Sequence, residues 1–367
     1  MPVECCMSNL LESVDTPALL VDLDVFEQNI KACFAALEGK NVSIRPHLKT
    51  GKSSIIAHKL LEAGAVGICV AKLGEAEVMA AAGIEDILIT TELVGARKLE
   101  HLVALLTIHP SIKLVIDSSE GAMALNTALE SANLRVDVLL DVNVGQNRCG
   151  VEPEDALRLA LELRKLESLK LIGVQGYEGH LQHDRSLENR RETCLEAMKK
   201  LGDVVIELEA HGFEMRVVST GGTGTHMFCA EHPRVTEVQP GSFIFMDTDY
   251  LATPGLPFQS ALSVLTTVIS LRGDARAIVD AGFKSLSTDS GFAQPKNLAG
   301  WAYSPAGDEH GLLEQTNPNA SSLKIGDRIE LIPSHIDTTV NLHDWYHPHR
   351  NGLLEPAWRI ETRGKVQ

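Results

Sequence analysis

The chain has 367 residues, 44% of them hydrophobic and 22% charged, the profile of an ordinary globular protein with room for one large domain and a smaller one. Lys and Arg number 33 against 49 Asp and Glu, a net charge of −16, which excludes a general nucleic-acid or anionic-membrane binder while leaving room for a local basic pocket. The 7 cysteines are Cys5, Cys6, Cys33, Cys69, Cys149, Cys194 and Cys229; they show no CxxC and no regular spacing, so neither a disulfide framework nor a zinc knuckle is expected. No run reaches the ~18 apolar residues of a membrane span. Met1 to Asp15 lacks the apolar stretch of a signal peptide, so a reducing, cytoplasmic setting is expected.

Thr16-Pro17 introduces the apolar run Ala18 to Asp22 and a helical pattern from Val25 to Leu37. Strand-like runs then recur at Val42 to Pro46, Gly67 to Val70, Ile87 to Thr90, Lys113 to Asp117, Val136 to Val142, Leu171 to Tyr177, Met215 to Ser219 and Val235 to Gln239. Most are continuously apolar, as strands buried on both faces are. Helical patterns separate them at Ser53 to Leu61, Leu73 to Ala82, Ala96 to Leu106, Glu120 to Ser131, Asp155 to Leu166 and Ser186 to His211. Eight such strands predict an α/β fold, a (β/α)8 TIM-like barrel over residues 22–255. A doubly wound open sheet is the alternative, but the first βα turn has no GxGxxG. After Tyr250 the runs Ser263 to Leu271, Arg276 to Val279, Arg328 to Ile332 and Trp358 to Glu361 are short and rich in Val, Ile and Thr. They predict a C-terminal antiparallel β domain over 256–367, joined by the N-terminal segment 1–21, with Gly300 to Ser322 as a long loop.

In a barrel, function collects at the C-terminal ends of the strands, with phosphate bound after the seventh and eighth. The run Asn41 to Ile44 ends in Arg45-Pro46-His47-Leu48-Lys49-Thr50. Pro46 stops the ladder there and leaves Lys49 at the mouth, where a desolvated lysine amine is a nucleophile. After the seventh strand come Thr220, Gly222 and Thr223, and after the eighth Gly241 and Ser242. Their amides and hydroxyls would form a phosphate cup. Arg148 follows the fifth strand, and Tyr177, His180 and His183 follow the sixth. A lysine, a phosphate cup, an arginine and an aromatic ring together describe a pyridoxal 5'-phosphate site. In the C-terminal region, His335 and Asp337 stand at i and i+2. On an extended strand these share a face and could grip one divalent ion, Mn²⁺ or Mg²⁺ before Co²⁺ or Zn²⁺. His343, Asp344, His347 and His349 are taken as a polar tail.

Arg45-Pro46-His47-x-Lys49-Thr50, the loop Ser219 to Thr225, Gln239-Pro240-Gly241-Ser242 and Pro333-Ser334-His335-x-Asp337-Thr338-Thr339 resemble the fold-type III pyridoxal phosphate enzymes of the D-threonine aldolase and D-serine dehydratase group. The likeness runs from about Thr16 to Glu361. It implies an alanine-racemase-like barrel, a homodimer with composite sites and Lys49 as the residue carrying the cofactor. The His-x-Asp form of the metal motif resembles the aldolases rather than the dehydratases, which usually have His-x-Cys. Gly51 departs from the histidine that many relatives carry there. The resemblance implies metal-assisted retro-aldol cleavage of D-threonine and other D-β-hydroxy-α-amino acids to glycine and an aldehyde, with His183 taking the hydroxyl proton and His180 as its competitor. The alternatives are a D-serine or D-threo-3-hydroxyaspartate dehydratase and, from another class, a non-catalytic pyridoxal phosphate-binding protein. A racemase would want a catalytic tyrosine, and Tyr303 and Tyr346 lack a persuasive context.

Overall fold

The structure is a computed structural model in which residues 13–367 are described; most of the N-terminal segment Met1 to Asp15, with Cys5 and Cys6, lies outside them. The chain divides into two compact units. One comprises Lys31–Gly241, Thr253–Gly255 and Gly364–Gln367; the other comprises Ser242–Ala252, Leu256–Arg363 and the described part of Met1–Ile30. No helix among the described residues is long and apolar enough to cross a membrane.

The apolar run after Pro17 forms β1 (Ala18–Asp22), followed by α1 (Leu23–Ala35). The first unit then carries eight parallel strands: β2 (Ser43–Ile44), β3 (Ile68–Val70), β4 (Ile87–Ile89), β5 (Lys113–Ile116), β6 (Val136–Asp141), β7 (Leu169–Gly176), β8 (Val217–Thr220) and β9 (Glu237–Val238). Each of β3 to β8 pairs with the next in sequence, β9 returns to β2, and His47 bridges Cys69 in parallel just past β2. The sheet therefore curls back on itself, which removes the open-sheet alternative. Cys69, Leu88, Val115, Leu139 and Ile172, one from each of five neighbouring strands, form one buried cluster, the packing that continuous apolar runs make possible.

The helices that cross between strands are α2 (Ser54–Glu62), α3 (Leu73–Ala81), α4 (Ala96–Ile108), α5 (Ser119–Ser131), α6 (Ala156–Leu163) and α7 (Leu187–Ala210). In α6 the buried positions Ala156, Leu159, Ala160 and Leu163 follow the i, i+3, i+4, i+7 pattern of a single apolar face. A short α8 (His226–Cys229) follows the glycine loop.

The second unit begins with α9 (Thr248–Leu251) and is built on β10 (Leu262–Leu271), which pairs antiparallel with β1, with β11 (Arg276–Val279) and with β15 (Arg328–Ile332). The stretch expected as a long loop from Gly300 to Ser322 instead holds the hairpin β13 (Trp301–Pro305) and β14 (Gly311–Gln315). Trp301, Tyr303, Gly311 and Leu313 are buried while Ala302, Ser304, Leu312 and Glu314 between them are less so, an alternation blurred by apolar Ala302 and Leu312 on the outer positions and by Pro305 and Gly311. β12 (Gln294–Pro295) extends the sheet beside β15. The histidine-rich run taken as a polar tail is also a strand, β16 (Trp345–Arg350), parallel to β1, with Tyr346 fully buried. β17 (Leu353–Leu354) and β18 (Trp358–Arg359) pair with it.

Aromatic rings close this unit's core. Phe26 lies 5.8 Å from Phe245 and 5.9 Å from Trp358, and Phe245 lies 5.4 Å from Tyr346, centroid to centroid. Phe26 is fully buried, so Phe26→Ala removes its transfer energy and leaves a cavity. A loss of about 3–5 kcal/mol in chemical denaturation is expected; a loss below about 1 kcal/mol would show that the ring cluster does not carry this core.

Candidate active site

Lys49 stands past the end of β2 and is half-buried, its backbone N–H donating to His47 Nδ1 at 3.2 Å. His47 Nε2 in turn lies 3.0 Å from Thr90 Oγ1. The segment is pinned to both neighbouring strand ends, because His47 N–H bonds Pro240 O and Leu48 N–H bonds Cys69 O. The next residue, Thr50, is fully buried, and its hydroxyl has no hydrogen-bond partner among the described residues; Ser53 Oγ is in the same condition.

The glycine loop after β8 is held by a buried carboxylate. Glu178 Oε1 accepts from Thr225 Oγ1 at 2.5 Å and from Gln182 Nε2 at 3.2 Å, while Oε2 accepts from Gly221 N at 3.4 Å and faces Thr220 Oγ1 at 2.9 Å. Gly222 N–H donates to Thr225 Oγ1 and Gly224 N–H to Gln182 Oε1. Three of the glycine amides and the Thr220 hydroxyl, which also donates to Gly176 O at 2.6 Å, are therefore engaged by the scaffold. They shape the cup rather than stand open to a ligand. A Cβ on Gly222 or Gly224 would overlap Gln182, and one on Gly241 would come within 2.8 Å of His47 O and 3.0 Å of Thr50 Oγ1. The Gly241 turn thus approaches the Lys49 segment as closely as a residue without a side chain permits.

Arg148 stacks over the Tyr177 ring at 5.7 Å from the centroid. The two border a small cleft with Asp141, Asn143, Gln146 and Cys149. His180 sits in the short 3-10 turn Gly179–Leu181 and lies against Gly145; His183, just beyond, is exposed.

In the other unit, the metal motif departs from the expected geometry. His335 is extended, at φ −144° and ψ 119°, but Ile336 begins α10 (Ile336–Val340) and Asp337 lies in its first turn. The helix starts there because Asp247 Oδ2 accepts from Ile336 N at 3.0 Å, while Oδ1 caps α9 through Tyr250 N at 2.9 Å. Burial pushes Asp247 up to about 6, against the two backbone N–H groups and His335 and with help from Asp337. His335 Nδ1 lies 2.6 Å from Asp289 Oδ2, and Thr338 Oγ1 donates to Asp289 Oδ1 at 3.0 Å. Partial burial works against Asp289, yet its bonds from Ser287, His335 and Thr338 hold it down at about 2. The carboxylate fixes the imidazole tautomer and leaves Nε2 as the nitrogen able to ligate.

Residues 21–249 match the family described as "Alanine racemase, N-terminal domain", and 261–348 match the "Putative serine dehydratase domain". A D-threonine aldolase from Arthrobacter sp is 39% identical over 96% of this chain and 94% of its own length. A 3-hydroxy-D-aspartate aldolase from Paracoccus denitrificans (strain Pd 1222) is 33% identical over 96% and 93%. The crystal structure of D-threonine aldolase from Filomicrobium marinum superposes with a TM-score of 0.93 at 38% identity, covering 96% of each chain. The chain belongs to the D-threonine aldolase family of fold-type III pyridoxal phosphate enzymes.

The residues present suit the family's cofactor. A buried, unpartnered hydroxyl at Thr50 beside the glycine turn at Gly241 is a cradle for an anionic group, and Lys49 is its chain neighbour. The His335 and Asp337 donor set suits a borderline or hard divalent ion. Sequence reasoning missed the residues that hold these groups in place. Glu178 and Gln182 lay in a run singled out for its tyrosine and histidines, and only the fold shows that they brace the glycine loop. Asp247 had a readable signal, Asp247-Thr248-Asp249 ahead of Tyr250, the mark of a helix N-cap. Asp289 had none.

Next to the cup, His226 is fully buried, with Nδ1 on Thr223 O at 3.0 Å. Burial drives its pKa from 6.5 down to about 4, against bonds from Thr223 and Gly222. The unfolded chain therefore binds the proton more readily than the folded one. Stability should fall as pH drops from about 6.5 towards 4, by up to about 3 kcal/mol from this group. His226→Gln should flatten that part of the pH–stability curve. An unchanged slope in the variant would show that the imidazole is not kept neutral by its burial.

Proposed function

We propose that this protein cleaves D-threonine and related D-β-hydroxy-α-amino acids to glycine and an aldehyde, as a carbon–carbon lyase that uses pyridoxal 5'-phosphate and a divalent metal. The observation that carries the reading is Lys49 at the mouth of the curled sheet, with the buried Thr50 hydroxyl and the Gly241 turn at its side. Family membership and a His-x-Asp motif braced by Asp289 support the choice of reaction.

When bound, pyridoxal phosphate supplies an electron sink for charge developing at the substrate Cα. A divalent ion, Mn²⁺ or Mg²⁺ in this proposal, supplies Lewis acidity toward the β-hydroxyl. Lys49 Nζ would be the amine that holds the cofactor covalently. Thr50, Thr223, Gly241 and Ser242 receive the phosphate, with Thr220 and Gly222 shaping the loop around it. Arg148 sets a fixed positive charge beside Tyr177, suited to the phenolic oxygen of the cofactor. His335 Nε2 and the Asp337 carboxylate hold the ion, with the imidazole oriented by Asp289. His183 takes the proton from the β-hydroxyl, the Cα–Cβ bond breaks as the aldehyde forms, and a proton is returned to Cα to give glycine. The five described free cysteines, Cys33, Cys69, Cys149, Cys194 and Cys229, support a reducing compartment, and family membership supports a homodimer.

The test is incubation with D-threonine, L-threonine and D-serine, with and without EDTA. Glycine and acetaldehyde from D-threonine alone, lost with EDTA and restored by Mn²⁺, is the expected result; a keto acid with ammonia would assign the chain to the dehydratases. In the same assay His183→Ala should lower kcat by about 10²-fold or more, with His180→Ala close to wild type. The reverse pattern would move the proton-accepting role to His180.

A further inference from the structure

The interior of the curled sheet holds a second polar system that none of the assigned residues explains. Asp141 at the end of β6, Gln175 in β7, Ser219 in β8 and Gln239 just after β9 are 8%, 4%, 0% and 7% exposed. Asp141 is the register partner of Gln175, and Gln175 of Ser219, so three of the four lie in one layer across adjacent strands. Gln175 Nε2 donates to Asp141 Oδ1 at 2.9 Å, Gln239 Nε2 donates to Gln175 Oε1 at 3.1 Å, and the same Gln239 nitrogen donates to Ser219 Oγ at 2.7 Å.

The direction of this chain follows from its first member. A side-chain amide has a donor end and an acceptor end, so in isolation a glutamine pair can run either way. A carboxyl oxygen facing an N–H accepts. Asp141 Oδ1 therefore draws the NH₂ of Gln175, which turns Gln175 Oε1 toward Gln239 and so draws the NH₂ of Gln239. Both protons of that NH₂ are then used, on Gln175 and on Ser219. Gln239 is left with Oε1, an acceptor with no donor among the described residues, and Ser219 with its own hydroxyl proton to give.

A carboxyl is a costly way to fill a buried position. Burial foremost, resisted by the Gln175 bond and reinforced by Glu92 and Asp117, raises Asp141 to about 8. At that value the carboxyl keeps its proton at neutral pH, and Glu92, hydrogen-bonded to the same carboxyl, is there to accept it. The other oxygen, Oδ1, is left to accept from Gln175. Three of the four members also sit before a segment assigned to the cofactor: Asp141 before the loop to Arg148, Ser219 before Thr220, and Gln239 before Pro240 and Gly241.

We propose that Asp141 is a positioning residue: it fixes the hydrogen-bond direction of Asp141–Gln175–Gln239–Ser219, and so presents Gln239 Oε1 as acceptor and the Ser219 hydroxyl as donor to the bound cofactor. The proposal rests on the pyridoxal phosphate reading. The test uses the full chain, reconstituted with pyridoxal phosphate, and compares wild type with Asp141→Leu, which removes the acceptor, Gln175→Leu and the double variant. Cofactor dissociation constant, visible absorption band, kcat and KM are read, and circular dichroism melting confirms folding. Asp141→Leu is expected to weaken cofactor binding about tenfold, to shift or broaden the band, and to lower kcat at saturating cofactor with KM little changed. Gln175→Leu, which breaks the chain and leaves the carboxyl in place, should do the same and carries the test if Asp141→Leu does not fold. The double variant should be no worse than the worse single one, as expected for residues acting through one chain. Wild-type affinity and band in the folded variants, or losses that add, would overturn the proposal. A wild-type chain that takes up no pyridoxal phosphate would overturn the functional reading itself, and this inference with it.

Discussion

The candidate cofactor site depends on one buried carboxylate. Glu178 is fully inaccessible to solvent, and a charge in that position is tolerated only when its oxygens are saturated with donors. The donors are Thr225, Gln182 and Gly221, with Thr220 alongside, and three of these four belong to the glycine loop. The requirement to satisfy Glu178 is therefore the same physical fact as the shape of the loop. Without a paired carboxylate, a run containing Gly221, Gly222 and Gly224 would have little reason to hold one conformation.

The same economy recurs in the other unit. Asp247 joins the start of α9 to the start of α10 with one carboxylate, and Asp289 fixes His335 and Thr338 with another. In each case an acidic residue that performs no chemistry sets the orientation of a residue assigned to it. Precision at such a site comes from the supporting groups as much as from those that touch the substrate.

How much of this was legible in the sequence follows from the range of the interactions involved. The strands of the curled sheet could be read because burial on both faces demands continuous apolar runs such as Leu114 to Ile116 and Val138 to Leu140. Lys49 and the two glycine turns were legible because the fold dictates where strand ends gather. The Trp301 to Gln315 hairpin was not, since apolar Ala302 and Leu312 on its outer positions blur the alternation and Pro305 and Gly311 bound its strands. The histidine run at β16 looked like a tail because its one fully buried aromatic, Tyr346, sits between an exposed Trp345 and the run His347 to Arg350. The His335 and Asp337 geometry failed for a different reason. The bond that starts α10 comes from Asp247, 89 positions earlier, and local patterning carries no trace of it.

The central claim is that this scaffold builds a cofactor site whose covalent anchor is Lys49. The most direct measurement is borohydride reduction of the chain reconstituted with pyridoxal phosphate, followed by peptide mass spectrometry. The account predicts a single phosphopyridoxyl adduct, on the peptide that contains Lys49. An adduct on Lys52 or another lysine, with Lys49 unmodified, would contradict it.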